Sequence, residues 1–262
     1  MDREGEARPR IAVHKFSSCD GCQLAFLNLG EGLLALAERV EIVHFAEAGM
    51  LDETAEVDIA FVEGSLSVPA DVERLRGIRA RSRHLVSIGA CATAGGLQAL
   101  RNLAGADWLG AVYARPDYIA TLDRVRPLAE EVHVDLELWG CPISTRQLLA
   151  ALDDLLAGVS PRQERDALCL DCKRRGRVCT LVSRGAPCLG PVTRSGCGAI
   201  CPAFGRDCYG CFGPAENANP AGLGRRLAGL GLRPAQIADR FLAINSQAEP
   251  WLGAGRDWKG RS

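Results

Sequence analysis

The sequence predicts an α/β fold: a flavodoxin-like parallel sheet domain followed by an irregular, cysteine-rich domain. Three observations predict it. Short runs rich in Val, Ile and Leu alternate with helical patterns over the first 158 residues. The texture changes after Gly158, and residues 159–213 hold eight of the twelve cysteines among many Gly and Pro. The four earlier cysteines all come just after strand patterns.

The first strand pattern is 10–16, RIAVHKF. Ser17-Ser18-Cys19-Asp20-Gly21-Cys22 leads from it into a helical pattern at 22–38. Strands at 40–45, 57–62, 84–89 and 134–139 follow, each short and apolar, as in a strand buried on both faces. Further helical patterns fall at 71–82, about 95–104 and 144–157, the last with Ser144 or Thr145 as cap and Gly158 as stop. Residues 105–133 read as an inserted loop with a helical piece near 123–131. Right-handed crossovers between five such strands give a flavodoxin-like order. The first domain is therefore expected to be 1–158, and the second 159–262, whose tail regains helical character over 221–252. Residues 159–213 are too poor in regular structure to order by apolar burial alone and call for metal staples.

Composition excludes several classes. A net charge of −1 and a pI near 6.4 offer no basic face for nucleic acid. No run approaches a membrane span. The opening MDREGEARPR lacks a signal peptide's apolar segment, and Pro9 splits Arg8 from Arg10, so no twin-arginine signal is expected. A cytoplasmic protein follows. Reducing conditions there disfavour six disulfides, whereas twelve thiols make three sets of four.

Ligands of an open α/β sheet bind outside the carboxyl ends of its strands. Cys19 and Cys22 follow the first strand, Cys91 the fourth and Cys141 the fifth, so four thiols converge on one rim. Gly21, Gly89 and Gly140 allow tight turns there. Backbone N–H groups at the helix starts near Cys22 and Cys91 are expected to point at sulfur. Cys169, Cys172, Cys179 and Cys188 form a second local group, and Cys197, Cys201, Cys208 and Cys211 a third. A zinc ribbon suits the spacing of either later group equally well. A thioredoxin-like disulfide at Cys19 and Cys22 is disfavoured by the two further thiols on their rim. Three adjacent sites favour iron–sulfur clusters, because a row of redox centres conducts electrons and a row of zincs does not.

Other features have plainer readings. Lys173-Arg174-Arg175-Gly176-Arg177 is either a solvated basic loop or a docking element for an electron-accepting partner. Glu63 reads as a satisfied turn residue before it reads as a partner contact or proton relay. His14 and His44 read as core or edge histidines, and His84 and His133 as loop residues. Trp139 either covers the rim site or simply packs. GACATAGG at 89–96 lacks the Lys-Ser/Thr ending of a phosphate loop.

SSCDGCQ at 17–23, VEGS at 62–65, GACATAGG at 89–96 and GCP at 140–142 together resemble the small subunit of nickel–iron hydrogenases, a family related to the 20-kDa subunit of respiratory complex I. The resemblance runs from about residue 10 to residue 214. It implies three [4Fe–4S] clusters. Cys19, Cys22, Cys91 and Cys141 would hold the proximal one. Cys169, Cys172, Cys179 and Cys188 would hold the distal one, and Cys197, Cys201, Cys208 and Cys211 the medial one. Many periplasmic members have a histidine where Cys169 stands and a proline for one medial thiol; here Cys201 supplies a fourth. The pattern resembles the cytosolic bidirectional group, which includes sulfhydrogenases. Its implied partners are a nickel–iron large subunit and flavin/iron–sulfur subunits using NAD(P). The other function classes are a cluster subunit of a complex I-like or heterodisulfide-linked assembly, and a zinc-stapled scaffold.

Overall fold

A computed structural model describes residues 8–105 and 107–261. Its sheet has six strands: β1 (Arg10–Lys15), β2 (Glu41–Phe45), β3 (Met50–Leu51), β4 (Val57–Glu63), β5 (Ser82–Ile88) and β6 (Leu136–Leu138). They lie in the order β3-β2-β1-β4-β5-β6, parallel except for the β2–β3 pair. Without β3, the strands run 2-1-3-4-5 in chain order, the flavodoxin-like arrangement. The order reverses between β1 and β4, so the crevice above those two strands is the natural ligand position. The short antiparallel β3 was not legible as a strand; at two residues it carries no periodicity.

Ile59, Ala60, Phe61 and Val62 of β4 are all buried, which explains its continuous apolar run. One sheet face packs Val13, Phe61 and Ile88 against Phe26, Leu36, Leu148 and Leu152. The other packs Ala12, Val62 and Leu85 against Leu75, Ile78 and Leu128. Those partners come from α1 (Gly21–Leu27), α2 (Glu31–Arg39), α3 (Pro69–Ala80) and later segments. The helix expected over 22–38 is thus two helices, broken where Gly30 takes φ 57°. At the start of α3 the Asp71 carboxylate accepts the Ser67 and Val68 N–H groups at 2.9 and 3.0 Å.

Short α4 (Gly89–Ala94) carries Cys91. The helix expected over 95–104 is a 3-10 segment, Leu97–Leu103. In the insertion, α5 (Trp108–Val112) precedes irregular chain, and the helical piece expected near 123–131 is only a 3-10 turn at Leu128–Glu130. Asn102 anchors the insertion by exchanging two 2.8 Å hydrogen bonds with the Val125 backbone. Helix α6 (Thr145–Leu156) matches its pattern; Ser144 sits at the N-cap without a side-chain cap bond, and Gly158 follows at φ 70°.

Beyond it come α7 (Leu168–Arg174), α8 (Thr180–Ser183), α9 (Ile200–Ala203), α10 (Pro220–Gly229), α11 (Pro234–Leu242) and α12 (Glu249–Lys259). The helical character expected over 221–252 resolves into α10 and α11, and α12 extends past it. These helices correct another expectation. Leu189, Val192 and Ala199 of the cysteine-rich segment are buried against Leu227, Phe241 and Trp251, so apolar packing on the tail joins any metal in ordering it. Among the described residues, no helix is long and apolar enough to cross a membrane. Most of the N-terminal stretch read for export signals, residues 1–7, lies outside the described residues.

Candidate metal centres

Strand ends β1, β5 and β6 bring Cys19, Cys22, Cys91 and Cys141 to the carboxyl rim at the switch point. Burial raises the Cys22 thiol pKa, and Glu63, Cys91 and Cys141 raise it further. Burial likewise pushes Cys91 up to about 12, with Cys141, Cys19 and Glu63 adding to the rise. Burial and then Cys19 raise Cys141. Cys22 thus neighbours Cys91 and Cys141, and Cys91 and Cys141 neighbour Cys19. Gly89, at φ 85°, lies so close that a Cβ there would overlap the Cys22 sulfur. The Cys141–Pro142 peptide is cis.

The expected N–H groups at the helix starts do something else. Those of Cys22 and Gln23 donate to the two oxygens of Glu63, each at 3.1 Å. A carboxylate at the end of β4 outcompetes sulfur for them, being the stronger acceptor. The N–H reaching Cys22 sulfur comes from Ile143. Cys91 faces the Gln98 carboxamide at 3.4 Å, and Gln98 Nε2 donates to Ser17 O at 3.0 Å. Sequence reasoning missed Gln98, which no motif marks.

Cys169, Cys172, Cys179 and Cys188 line one cavity of about 120 Å³, together with Lys173, Arg177 and Val178. Burial pushes Cys172 up to about 11, aided by Cys169, Cys188 and Cys179. Gly190 and Cys208 N–H groups donate to Cys188 sulfur at 3.4 and 3.2 Å. Cys208 thiol approaches Thr193 Oγ1 at 3.6 Å and accepts from Gly210 N–H at 3.4 Å. Burial holds Cys211 up at about 12, with Cys197, Cys141 and Cys201 beside it; the Cys141 N–H opposes the rise. The third group thus adjoins both others, through Cys141 on one side and Cys188 on the other.

Trp139 stands at the first of these junctions. Its Nε1 donates to Glu137 at 3.0 Å, the Arg194 guanidinium lies 5.2 Å over its ring, and Gly213 packs so tightly that a Cβ would overlap the indole.

All twelve cysteines are unpaired by disulfides. A zinc ion with Zn–S bonds near 2.3 Å holds its sulfurs about 3.8 Å apart. Among the described residues, no three cysteine sulfurs lie within 4.8 Å of one another. Holding a single zinc would require the thiols of a set to draw closer together. Crowded, buried thiols with raised pKa values also need a cationic centre to hold them as thiolates.

The one compact group of possible ligands among the described residues is His14, His44 and Glu53. The histidine rings stack at 4.6 Å, and Arg74 is ion-paired to Glu53. Burial, His44, Arg74 and Arg81 hold His14 down at about 3. With guanidinium groups facing it, this cluster repels a cation, and the histidines are core residues.

A doubly wound sheet with thiols gathered on its switch-point rim defines the class: a cysteine-rich α/β subunit of an oxidoreductase. Residues 19–155, just over half of the chain, match the NADH ubiquinone oxidoreductase 20 kDa subunit family, and the chain belongs to that family. The chain is 35% identical over 214 residues to sulfhydrogenase 2 subunit delta of Pyrococcus furiosus, covering 82% of this chain and 90% of that one. It is 29% identical to a subunit of the F420-non-reducing hydrogenase vhu of Methanocaldococcus jannaschii, covering 90% and 93%. The solved structure of an NAD+-reducing [NiFe]-hydrogenase in the H2-reduced state contains a chain 34% identical, with a TM-score of 0.55, covering 60% of this chain and 95% of that one.

Proposed function

We propose that this chain is the electron-transfer small subunit of a soluble, cytoplasmic nickel–iron hydrogenase. Cys19, Cys22, Cys91 and Cys141 hold the proximal [4Fe–4S] cluster, Cys197, Cys201, Cys208 and Cys211 the medial one, and Cys169, Cys172, Cys179 and Cys188 the distal one. Residues 1–158 form the proximal-cluster domain and 159–262 the domain of the other two. The observation that carries the reading is that twelve undisulfided cysteines gather into three adjoining sets, the middle one neighbouring both others. The relatives named as sulfhydrogenase and F420-non-reducing hydrogenase subunits support it.

When loaded, the three sites supply one-electron carriers in a row. Hydrogen is split in a separate large subunit, and the electron acceptor is a flavin/iron–sulfur partner using NAD(P). The residues of this chain fix spacing and tune potential. Backbone N–H groups of Ile143, Gly190, Cys208 and Gly210 stabilise charge on sulfur. Trp139, clamped by Arg194 and Gly213, excludes water between the first two sites. Cys19 and Cys141 are exposed on the rim, and Leu24, Leu97 and Leu100 on neighbouring segments are exposed as well. That surface meets the large subunit, an obligate interface that buries apolar area.

The test is anaerobic purification of the assembled complex followed by exposure to hydrogen. The expected result is a co-purifying nickel-containing chain and hydrogen-driven bleaching of cluster absorbance. A complex without nickel, or one whose visible spectrum ignores hydrogen, contradicts the proposal.

A further inference from the structure

We infer that the face around the distal site docks an electron-accepting protein that presents a carboxylate-rich patch with an apolar centre; this deepens the proposed function and rests on it. In a chain of net charge −1, residues 172–206 carry seven basic residues and no acidic one. Folding gathers six of these on the surface, at the end of α7 (Lys173, Arg174, Arg175, Arg177), after α8 (Arg184) and after α9 (Arg206).

The three turns form one surface. The Arg184 guanidinium donates to Gly205 O, the Arg175 guanidinium packs against Gly198, and Pro202 of α9 lines the same cavity as Val178 and Cys179. Among the described residues, none of these six side chains is paired with a carboxylate. Other faces carry paired arginines, as in Arg39–Asp153, Arg79–Asp135 and Arg146–Glu164. The nearest acids do not neutralise the face. Asp171 is half-buried at the Cys172 side, and Asp207 is engaged by Arg240 at 2.6 Å.

Within this basic field stand Val178, Val182 and Phe204, exposed by 72%, 78% and 81%. One such side chain is ordinary, but three on adjoining turns beside the exposed Cys179 make a docking centre. An apolar core with a charged rim is the anatomy of a protein interface. The sign of the rim selects an acidic partner and raises its encounter rate. The distal cavity opens here, so a partner seated on this face lies beside the outermost thiols.

The test uses the complex of this chain with its large subunit, freed of any acceptor subunit so that the face is open, with an acidic [2Fe–2S] ferredoxin as probe and benzyl viologen as a small-molecule control. Binding of the ferredoxin and the rate of its reduction under hydrogen are measured from low to high salt. The wild type should bind it with an affinity that falls as salt rises. The double substitution Arg174→Glu/Arg184→Glu should lower affinity and rate at low salt about tenfold or more, and Phe204→Ala should lower affinity at every salt concentration. Viologen reduction should be unchanged in both variants. Salt-insensitive ferredoxin binding, or variants that bind as the wild type does, would overturn the inference. Salt-sensitive binding by a complex that hydrogen does not reduce would instead sink the hydrogenase reading and leave the docking face standing. Binding of the same face to anionic phospholipid vesicles, with none to ferredoxin, would also overturn it.

Discussion

Glu63 is almost wholly buried, and both of its oxygens are used by the Cys22 and Gln23 N–H groups. It fixes the turn that carries two thiols. Glutamine has one acceptor oxygen, and its NH2 would face a donor, leaving a buried N–H unmet at a cost of about 1–3 kcal/mol. Glu63→Gln should therefore lower the melting temperature of the chain, and an unchanged melting curve would contradict the positioning role. Cys91→Ala removes one ligand of the rim set. Iron should fall by about four atoms per chain, and hydrogen-driven reduction of the remaining centres should stop while the large subunit keeps part of its own hydrogen chemistry. Full iron content with undiminished electron delivery would exclude Cys91 as a ligand. At this scale the placement of the four rim thiols was legible, because each follows a strand pattern. Glu63 was half-legible from its place in VEGS at the end of a strand. Gln98 and Thr193 were not, since their sulfur contacts depend on how distant loops fold back. Nor were Asp20 and Ala199, non-glycine residues at φ 67° and 56° that sit between cysteines.

Elements were legible where periodicity is long and buried. The five parallel strands and α6 fall where the sequence put them, because each must be apolar on a defined face. The break at Gly30, the 3-10 segment after Gly96 and two-residue β3 were hidden, since each hinges on one or two backbone angles. The β1–β2 edge carries a prediction of its own. His14 is buried on β1 and held neutral down to about pH 3, whereas in the unfolded chain it titrates near 6.5. As pH falls from 6.5 towards 3, the unfolded chain binds a proton there that the folded chain refuses. Stability should thus fall on acidification, by up to about 1.4 kcal/mol per pH unit from this group. His14→Gln should flatten that part of the profile in denaturant titrations between pH 4 and pH 6.5. A slope unaltered by the substitution would contradict the account.

As a whole, the chain joins a two-faced sheet layer to a cysteine-rich layer with a core of its own, and the thiol sets run from the rim of the first into the second. The mostly parallel sheet layer was legible in the alternation of strand and helix patterns. The support that α10–α12 give the cysteine-rich segment was not, because helices seen only as local patterns do not reveal what they cover. The account depends most on what the three thiol sets hold. Iron, zinc and acid-labile sulfide should be measured per chain on anaerobically purified complex, with the large subunit's iron and any acceptor subunits' iron and sulfide subtracted. The account predicts about twelve iron and about twelve sulfide, with zinc absent. About three zinc and no sulfide would contradict it.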